Sequence, residues 1–583
     1  MEEHDMEKPL RWTLATAVCC CAAWLAQAAP PDNDSATVSD EQWLDSQEPP
    51  AEPRPAVGAP AGAGSSRRNA SLKNNGPVQR LVDQRSGVAV VRPTPTESKQ
   101  LQPVTPSRIE IAPAQFNGAQ PATTTRDELI ANWGEPAETR NTKAGPELRF
   151  DLEPFERIVV SFVDDVVDTI VISLMQPIEA DRLAQELKLQ DLDPVIVRDQ
   201  RGRPIGEAYP ERGVVFSFVN NPKGREAKQI LLAPIDLEAF VLRAQANLHR
   251  RYELSLNDLD FVIEQEPTHA QAHWLRAELL LDLARYPQAL HDAEQAVALD
   301  GTSPRYEVTL SAALNQVGQA DAAQSHAEKA LRLAQEGTVE KALALVNLAD
   351  CHNYAAQQDY EGAVSLAQQA LKIANPLATD QRFEARELAR RVLLQAHLSI
   401  ARDIAWGAWK RKATAVPMWL EKAEAIARDT QERPEGRGDE MFLVAREALT
   451  AYVGMQGEVD PKHWADIAAK EGSRIIRETD DPLLKSRTEW ELGLAMYDAL
   501  QICHMRRAFE PALQYGKLAV RYLEQAGSER AAQPGHAYMM GRLYFRIGSI
   551  HAVQFKNHEK AMPWFEKAVP LLEEPIPDSS MAD

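Results

Sequence analysis

His273–Asp300 reads HWLRAELLLDLARYPQALHDAEQAVALD: an apolar helix, a short polar break, and a second helix with small residues at fixed spacing. The pattern recurs on both sides. Tyr252, Tyr286 and Ala320 stand 34 residues apart; Ser255, Ala289 and Ala323 follow three residues later, and Val262, Ala296 and Ala330 seven residues after those. A fixed period of this length marks stacked supersecondary units, because one helical hairpin cannot bury its own apolar face and must lean on the next. The fold class that follows is mainly α, a solenoid of helix pairs. Alanine, leucine, glutamate and glutamine dominate after residue 240, a helix-forming mixture.

Ala277 takes a small position on the first helix, Tyr286 precedes the second, and Ala289 and Ala296 fall where the two would touch. This resembles the tetratricopeptide repeat. Three regular units cover 237–336, the first one residue shorter between Ala244 and Tyr252. The spacing returns at Tyr360, Ala363 and Ala370, weakly at Val416, Leu420 and Ala423, then at Phe509, Ala512 and Ala519, and last at Ala561, Phe565 and Ala568. Residues 337–490 read as irregular repeats, 491–575 as C-terminal repeats and 576–583 as a tail. The array should form a right-handed superhelix of roughly fourteen to seventeen helices.

The resemblance implies an interaction scaffold with a concave face lined by the second, fifth, ninth and twelfth residues of each first helix. Carried onto this chain, it makes Gln271, Trp274, Glu278, Arg305, Val308, Asn315, Leu348 and His352 the candidate protein-binding residues. Repeats of this family that clamp a partner's C-terminal carboxylate gather several Lys, Arg and Asn residues there, since a buried carboxylate needs charged donors. Only Arg305 and Asn315 fit that pattern here. The expected ligand is therefore an extended or helical segment with apolar and amide anchors. The plain alternative is that Trp274 packs between repeats.

Upstream of the array, residues 106–236 read as a small α+β domain built twice. VVSFVDD from Val159 and VFSFVNN from Val215 match at an offset of 56, as do Arg126 and Arg182 in their helices. Each half is expected to hold a helix and three strands: Glu147–Leu152, Ile158–Val163 and Thr169–Leu174, then Pro194–Val197, Gly213–Val219 and Gln229–Leu232. The WGEP turn at Trp133–Pro136 resembles the SmpA/OmlA envelope-lipoprotein fold, which the beta-lactamase-inhibitor architecture also shows in duplicate. That resemblance implies a protein-binding envelope module without catalysis. Trp133 is better explained as a core aromatic, and Gly134 as a helix C-cap, than as ligand contacts.

Residues 1–29 read as an export signal or membrane anchor: Lys8 and Arg11 precede an uncharged stretch from Trp12 to Ala29. Residues 30–105, rich in Pro, Ala and Gly, read as a disordered tether. The protein is thus expected to be exported, periplasmic or envelope-associated, with membrane association through a retained N-terminus; a cytoplasmic chain is the remaining alternative. Five cysteines, three of them the run Cys19-Cys20-Cys21, make no disulfide framework.

The formal net charge of −21 disfavours nucleic acid as a partner, which demands a basic face. No zinc-protease, nucleophile-elbow, phosphate-loop or dinucleotide motif occurs. Gly202 and Gly206 fall at an expected strand connection. Cys351-His352 and Cys503-His504 lack the first cysteine of a haem site, and His269, His273 and His291 lack a shared helical face. Trp406 and Trp409 are expected on one face of a helix, as core. No catalytic residue, metal or cofactor is expected. The functional expectation is a non-catalytic scaffold that binds protein or peptide partners in the cell envelope. An assembly or regulatory factor whose α+β domain gates the groove is a second reading. An enzyme using Asp151, Asp164 or Asp165 is a third.

Overall fold

The computed structural model describes residues 109–142, 145–219, 225–355, 357–431, 433, 437–526 and 536–573. The segment read as an export signal or anchor, the whole stretch read as a tether, Cys19–Cys21 and the segment read as a tail lie outside them. The contacts divide these residues into two compact units, one of 109–310 with Asn375–Ala389 and one of Ser311–Ala374 with 390–573.

The first unit opens on an antiparallel sheet. Its strands are β1 (Glu138–Thr142), β2 (Gly145–Phe150), β3 (Phe155–Val163), β4 (Val166–Glu179), β5 (Val195–Arg198), β6 (Pro204–Tyr209), β7 (Val214–Phe218) and β8 (Glu226–Leu232). Helix α1 (Arg126–Trp133) precedes the first four and α2 (Ala180–Glu186) the second four. The order is β1-β2-β3-β4-β8-β7-β6-β5, so two helix-plus-meander halves join at their last strands. Val159 and Val215 occupy β3 and β7, the third strand of each half. The duplication in sequence is a duplication in topology.

Each half holds one strand more than its sequence suggests. β1 is polar and largely exposed at the sheet edge, so it carries no alternation to read. β6 contains Pro204 and Gly206, which read as a turn. Gly206 instead pairs with Ser217 inside the sheet, where a Cβ would lie 2.4 Å from the Phe216 carbonyl oxygen. That glycine serves a close backbone approach rather than a connection.

The main core alternates along the strands, with Ile158, Val160 and Phe162 on β3 buried beside Ile170 and Ile172 on β4. Leu129 of α1 and Leu183 of α2 enter the same core. Trp133 packs edge-on against Phe116 at 5.5 Å and Phe150 at 5.2 Å, and its Nε1 donates to the Asn117 carbonyl at 3.0 Å. Gly134 closes α1 at φ 86°, its N–H bonded to the Ile130 carbonyl. At the other end Thr125 and Glu128 form a capping box, whose hydrogen bonds from Thr125 hold the Glu128 carboxyl below its ordinary range.

Asp164 and Asp165 link β3 to β4 at φ 53° and 58°, between the paired residues Val163 and Val166. Two left-handed residues in a two-residue hairpin suit aspartate and penalise β-branched side chains. Asp164→Val is therefore expected to cost about 1–2 kcal/mol. Asp164→Asn with Asp165→Gly is expected to keep or raise the melting temperature, and thermal unfolding of the full chain compares the two.

From Leu237 onward the chain is helical. Among the described residues there are 18 helices, α1 and α2 included. The first helices are α3 (Leu237–Asn247), α4 (Tyr252–Gln265), α5 (Ala270–Asp282), α6 (Tyr286–Leu299), α7 (Pro304–Gln316) and α8 (Ala320–Leu333). Then come α9 (Val339–Tyr354), α10 (Tyr360–Leu377), α11 (Phe383–Trp406), α12 (Lys412–Gln431), α13 (Glu440–Gly454) and α14 (Lys462–Glu478). The last are α15 (Pro482–Met505), α16 (Phe509–Gln525), α17 (His536–Ser549) and α18 (His558–Glu573).

The periodic residues fix this register. Tyr252, Tyr286, Ala320, Tyr360 and Phe509 are each the first residue of a helix. Ala277 and Ala289, Ser311 and Ala323, and Cys351 and Ala363 are paired small residues, each twelve apart and at most 1% exposed. Small side chains at these places let the two helices of a hairpin approach closely. Between helices the chain turns through left-handed residues such as Ala284, Gly318 and Gly337. The tryptophans behave differently from expectation: α11 stops at Trp406, so Trp409 is outside the helix and packs over Gly407. Trp419, on the next helix, is buried at 1% exposure. Among the described residues no helix is long and apolar enough to cross a membrane.

Candidate functional site

The candidate groove residues divide into a partly open set and a buried set. On α5, half-buried Trp274 donates its indole N–H to Thr309 Oγ1 of α7 at 2.9 Å, and its ring leans on Tyr306 at 5.6 Å. The Thr309 hydroxyl turns to the Glu278 carboxylate. Trp274, Glu278, Tyr306 and Thr309 thus join the first helices of successive hairpins, so Trp274 packs between repeats while keeping part of its surface open. Gln271 lies next to Gln245 at 3.5 Å, and Arg305 and Val308 are half-buried on α7.

In the second unit the outcome differs. Asn315 is 2% exposed and donates to Cys351 Sγ at 3.3 Å, and Leu348 is 7% exposed. Both are core residues. His352 is half-buried beside Asp359, with Nδ1 and the carboxylate 3.2 Å apart.

The sequence reading passed over a set of enclosed arginines. Arg243 of α3 is fully buried: it grips Asp258 of α4 through two bonds of 2.9 and 2.7 Å, Glu211 at 2.6 Å and the Asp193 carbonyl at 2.6 Å. It thereby ties the sheet domain to the first hairpin. Arg276 of α5 holds Asp292 of α6 at 2.7 and 2.8 Å and Asp260 of α4 at 2.7 Å. Burial works against the Asp292 charge, yet the bonds from His273 and Arg276 keep its carboxyl below the ordinary range. In the second unit Arg402 of α11 reaches Asp350 of α9 at 2.6 Å, and Arg446 of α13 pairs with Glu447 and with Glu491 of α15. Arg487 of α15 meets Asp439 at 3.3 Å. A charge inside a helical array is tolerable only with such partners.

A family model for the tetratricopeptide repeat matches residues 541–570, the second half of α17 through most of α18. The chain carries a tetratricopeptide repeat. The same small-residue pairing and helix starts extend that repeat geometry to the earlier hairpins. No curated protein matches the chain. Among solved structures, a human IFIT1 dimer with m7Gppp-AAAA is similar at 14% identity, over 61% of this chain and 74% of that one, with a TM-score of 0.36. The human IFIT1 dimer with PPP-AAAA is similar at 14% identity, over 58% and 73%, with a TM-score of 0.35. The apo form of RapI is similar at 10% identity, over 49% and 97%, with a TM-score of 0.32.

Cys351 and Cys503 are buried free thiols, and burial pushes Cys503 up to about 11, far from a reactive thiolate. His273 is enclosed between Asp292 at 3.2 Å and the Pro267 carbonyl at 3.0 Å. Among the described residues no three His, Cys, Asp or Glu side chains gather as a metal site. The tetratricopeptide repeat supports a scaffold that binds protein or peptide.

Proposed function

We propose that this chain is an exported, non-catalytic scaffold that recruits protein or peptide partners in the cell envelope through the first helices of its repeats. The observation that carries the binding role is the Trp274–Tyr306 pair. An aromatic couple on successive repeats, braced by Thr309 and Glu278, offers a rigid anchor at small entropic cost. Export rests on Lys8 and Arg11 ahead of the uncharged stretch to Ala29. Affinity capture from an envelope fraction tests the reading. Trp274→Ala with Arg305→Ala is expected to lose partners that the parent chain retains, and unchanged recovery rejects the groove. N-terminal sequencing of the native protein reads out export directly.

One observation favours a second reading, an assembly or regulatory factor gated by its sheet domain. The β5–β6 loop docks on the start of α11: the Phe383 N–H donates to the Gln200 carbonyl at 2.8 Å, and Arg198 lies over the Phe383 ring at 5.7 Å. Gly202 admits that ring, since a Cβ there would sit 2.3 Å from Phe383 Cδ2. If the loop gates binding, Phe383→Ala raises partner recovery; recovery equal to the parent chain removes the second reading.

A further inference from the structure

The four hairpins from α11 to α18 bring their first-to-second-helix turns to one edge of the second unit. Trp406 at the end of α11 packs on Gly454 at the end of α13, where a Cβ would meet its ring at 2.9 Å. Beyond α13, Gly457 lies against Met505, the last residue of α15, and its carbonyl accepts from Arg506 Nη1 at 3.3 Å. The guanidinium of Arg546 on α17 stands 5.8 Å from the Tyr497 ring of α15. Tyr497 precedes the end of its helix at Met505 by eight residues, and Arg546 precedes Gln554, the end of the π turn that extends α17, by eight as well. The ends of these first helices therefore lie side by side.

The turns are basic in a chain whose formal net charge is −21. The residue five before Val416, Ala512 and Ala561 is Arg411, Arg507 and Lys556 in turn, at φ 61°, 59° and 50°. A left-handed position favours glycine, as Gly318 shows five before Ala323, so the turn itself does not ask for a long cation. With Lys410 and Arg506 beside them these are exposed bases, and no acid interrupts 407–411, 506–508 or 555–557. The turn after α13 differs: it carries Glu458 and Asp460, and Asp460 meets Arg506 at 3.7 Å. Apolar side chains protrude among the bases. Val553 is 65% exposed, Met505 41% and Phe555 39%, and half-buried Trp409 adjoins Lys410.

We propose that this edge docks the second unit on the surface of a bilayer that carries anionic lipid. The occupant follows from the combination of side chains. Bases set among protruding aliphatic and aromatic groups suit a surface with anionic headgroups above hydrocarbon. Nucleic acid would use the cations and stack on planar rings, but it has no use for Val553 and Met505. The proposal draws neither on the groove nor on Trp274.

The test is flotation of the full chain with vesicles of phosphatidylcholine alone and of phosphatidylcholine with phosphatidylserine, at low and at high salt. Residues 1–29 are present in every chain compared, so any hold they have on vesicles is common to all. The expected result is binding to the phosphatidylserine vesicles that weakens with salt, and that falls by about tenfold or more in Arg507→Gln with Lys556→Gln. Val553→Ser is expected to weaken it by about threefold or more. All three positions are exposed, so both variants are expected to melt with the parent. Oxidation of Met505 by peroxide, read by mass spectrometry, is expected to slow on phosphatidylserine vesicles. Binding equal in the parent and both variants, or Met505 oxidised as fast on the vesicles as off them, overturns the proposal. Binding of a single-stranded oligonucleotide that the double variant loses and Val553→Ser keeps, with no vesicle binding, assigns the edge to nucleic acid and overturns it as well.

Discussion

Arg243→Ala is expected to destabilise the first unit by about 3–5 kcal/mol, the usual cost of stranding buried charges. Arg243 is 0% exposed and serves two carboxylates and a carbonyl, in the sheet domain and the first hairpin. Its removal leaves Asp258, itself 0% exposed, with no cation at its side. Arg243→Lys is expected to rescue little, because one ammonium cannot reproduce two fork bonds to Asp258 along with the Glu211 contact. A triple change, Arg243→Met with Glu211→Leu and Asp258→Leu, is expected to recover most of the loss, since no charge is then stranded. Melting temperatures and hydrogen exchange of α3 and α4 read both outcomes; a single variant that melts with the parent would show the cluster to be energetically idle.

The second large effect is pH-dependent. Burial pushes the Asp498 carboxyl up to about 6, against the hydrogen bond from Thr450 and the charge of Arg446. An unfolded aspartate titrates near ~3.9. The folded state therefore holds this proton more tightly. Its stabilising contribution is complete below the unfolded value and is lost as pH rises through 4 and then 6. Asp498→Asn keeps both contacts, because its amide oxygen accepts from Gln501 and its nitrogen donates to the Thr450 hydroxyl. The variant and parent are expected to melt together near pH 4, with the variant more stable by about 3 kcal/mol at pH 8. A difference constant across that range would mean that Asp498 stays ionised when folded, neutralised by Arg446.

Much of this architecture is written in local pattern. The period that puts Tyr252, Tyr286 and Ala320 at helix starts needs no knowledge of the rest of the chain, because helical burial repeats every few residues and stacking repeats it every hairpin. Trp133 and Gly134 were legible for the same reason: a helix end and its aromatic neighbour form a short-range unit. The Asp164-Asp165 turn also declared itself in two residues.

Tertiary structure decided what depends on partners distant in sequence. β1 is a strand because β2 offers it hydrogen bonds, and β6 because β5 and β7 flank it; neither carries the side-chain alternation that marks a strand in isolation. Asn315 and Leu348 occupy positions that face the groove in a regular repeat, but neighbouring helices close over them, so a position in the period does not fix exposure. The arginines make the point most sharply. Arg402 and Arg546 look alike in sequence, yet one lies against Asp350 and the other over Tyr497. Hydrophobic periodicity is a property of a single helix, whereas the neutralisation of a charge is a property of the residues that folding brings beside it.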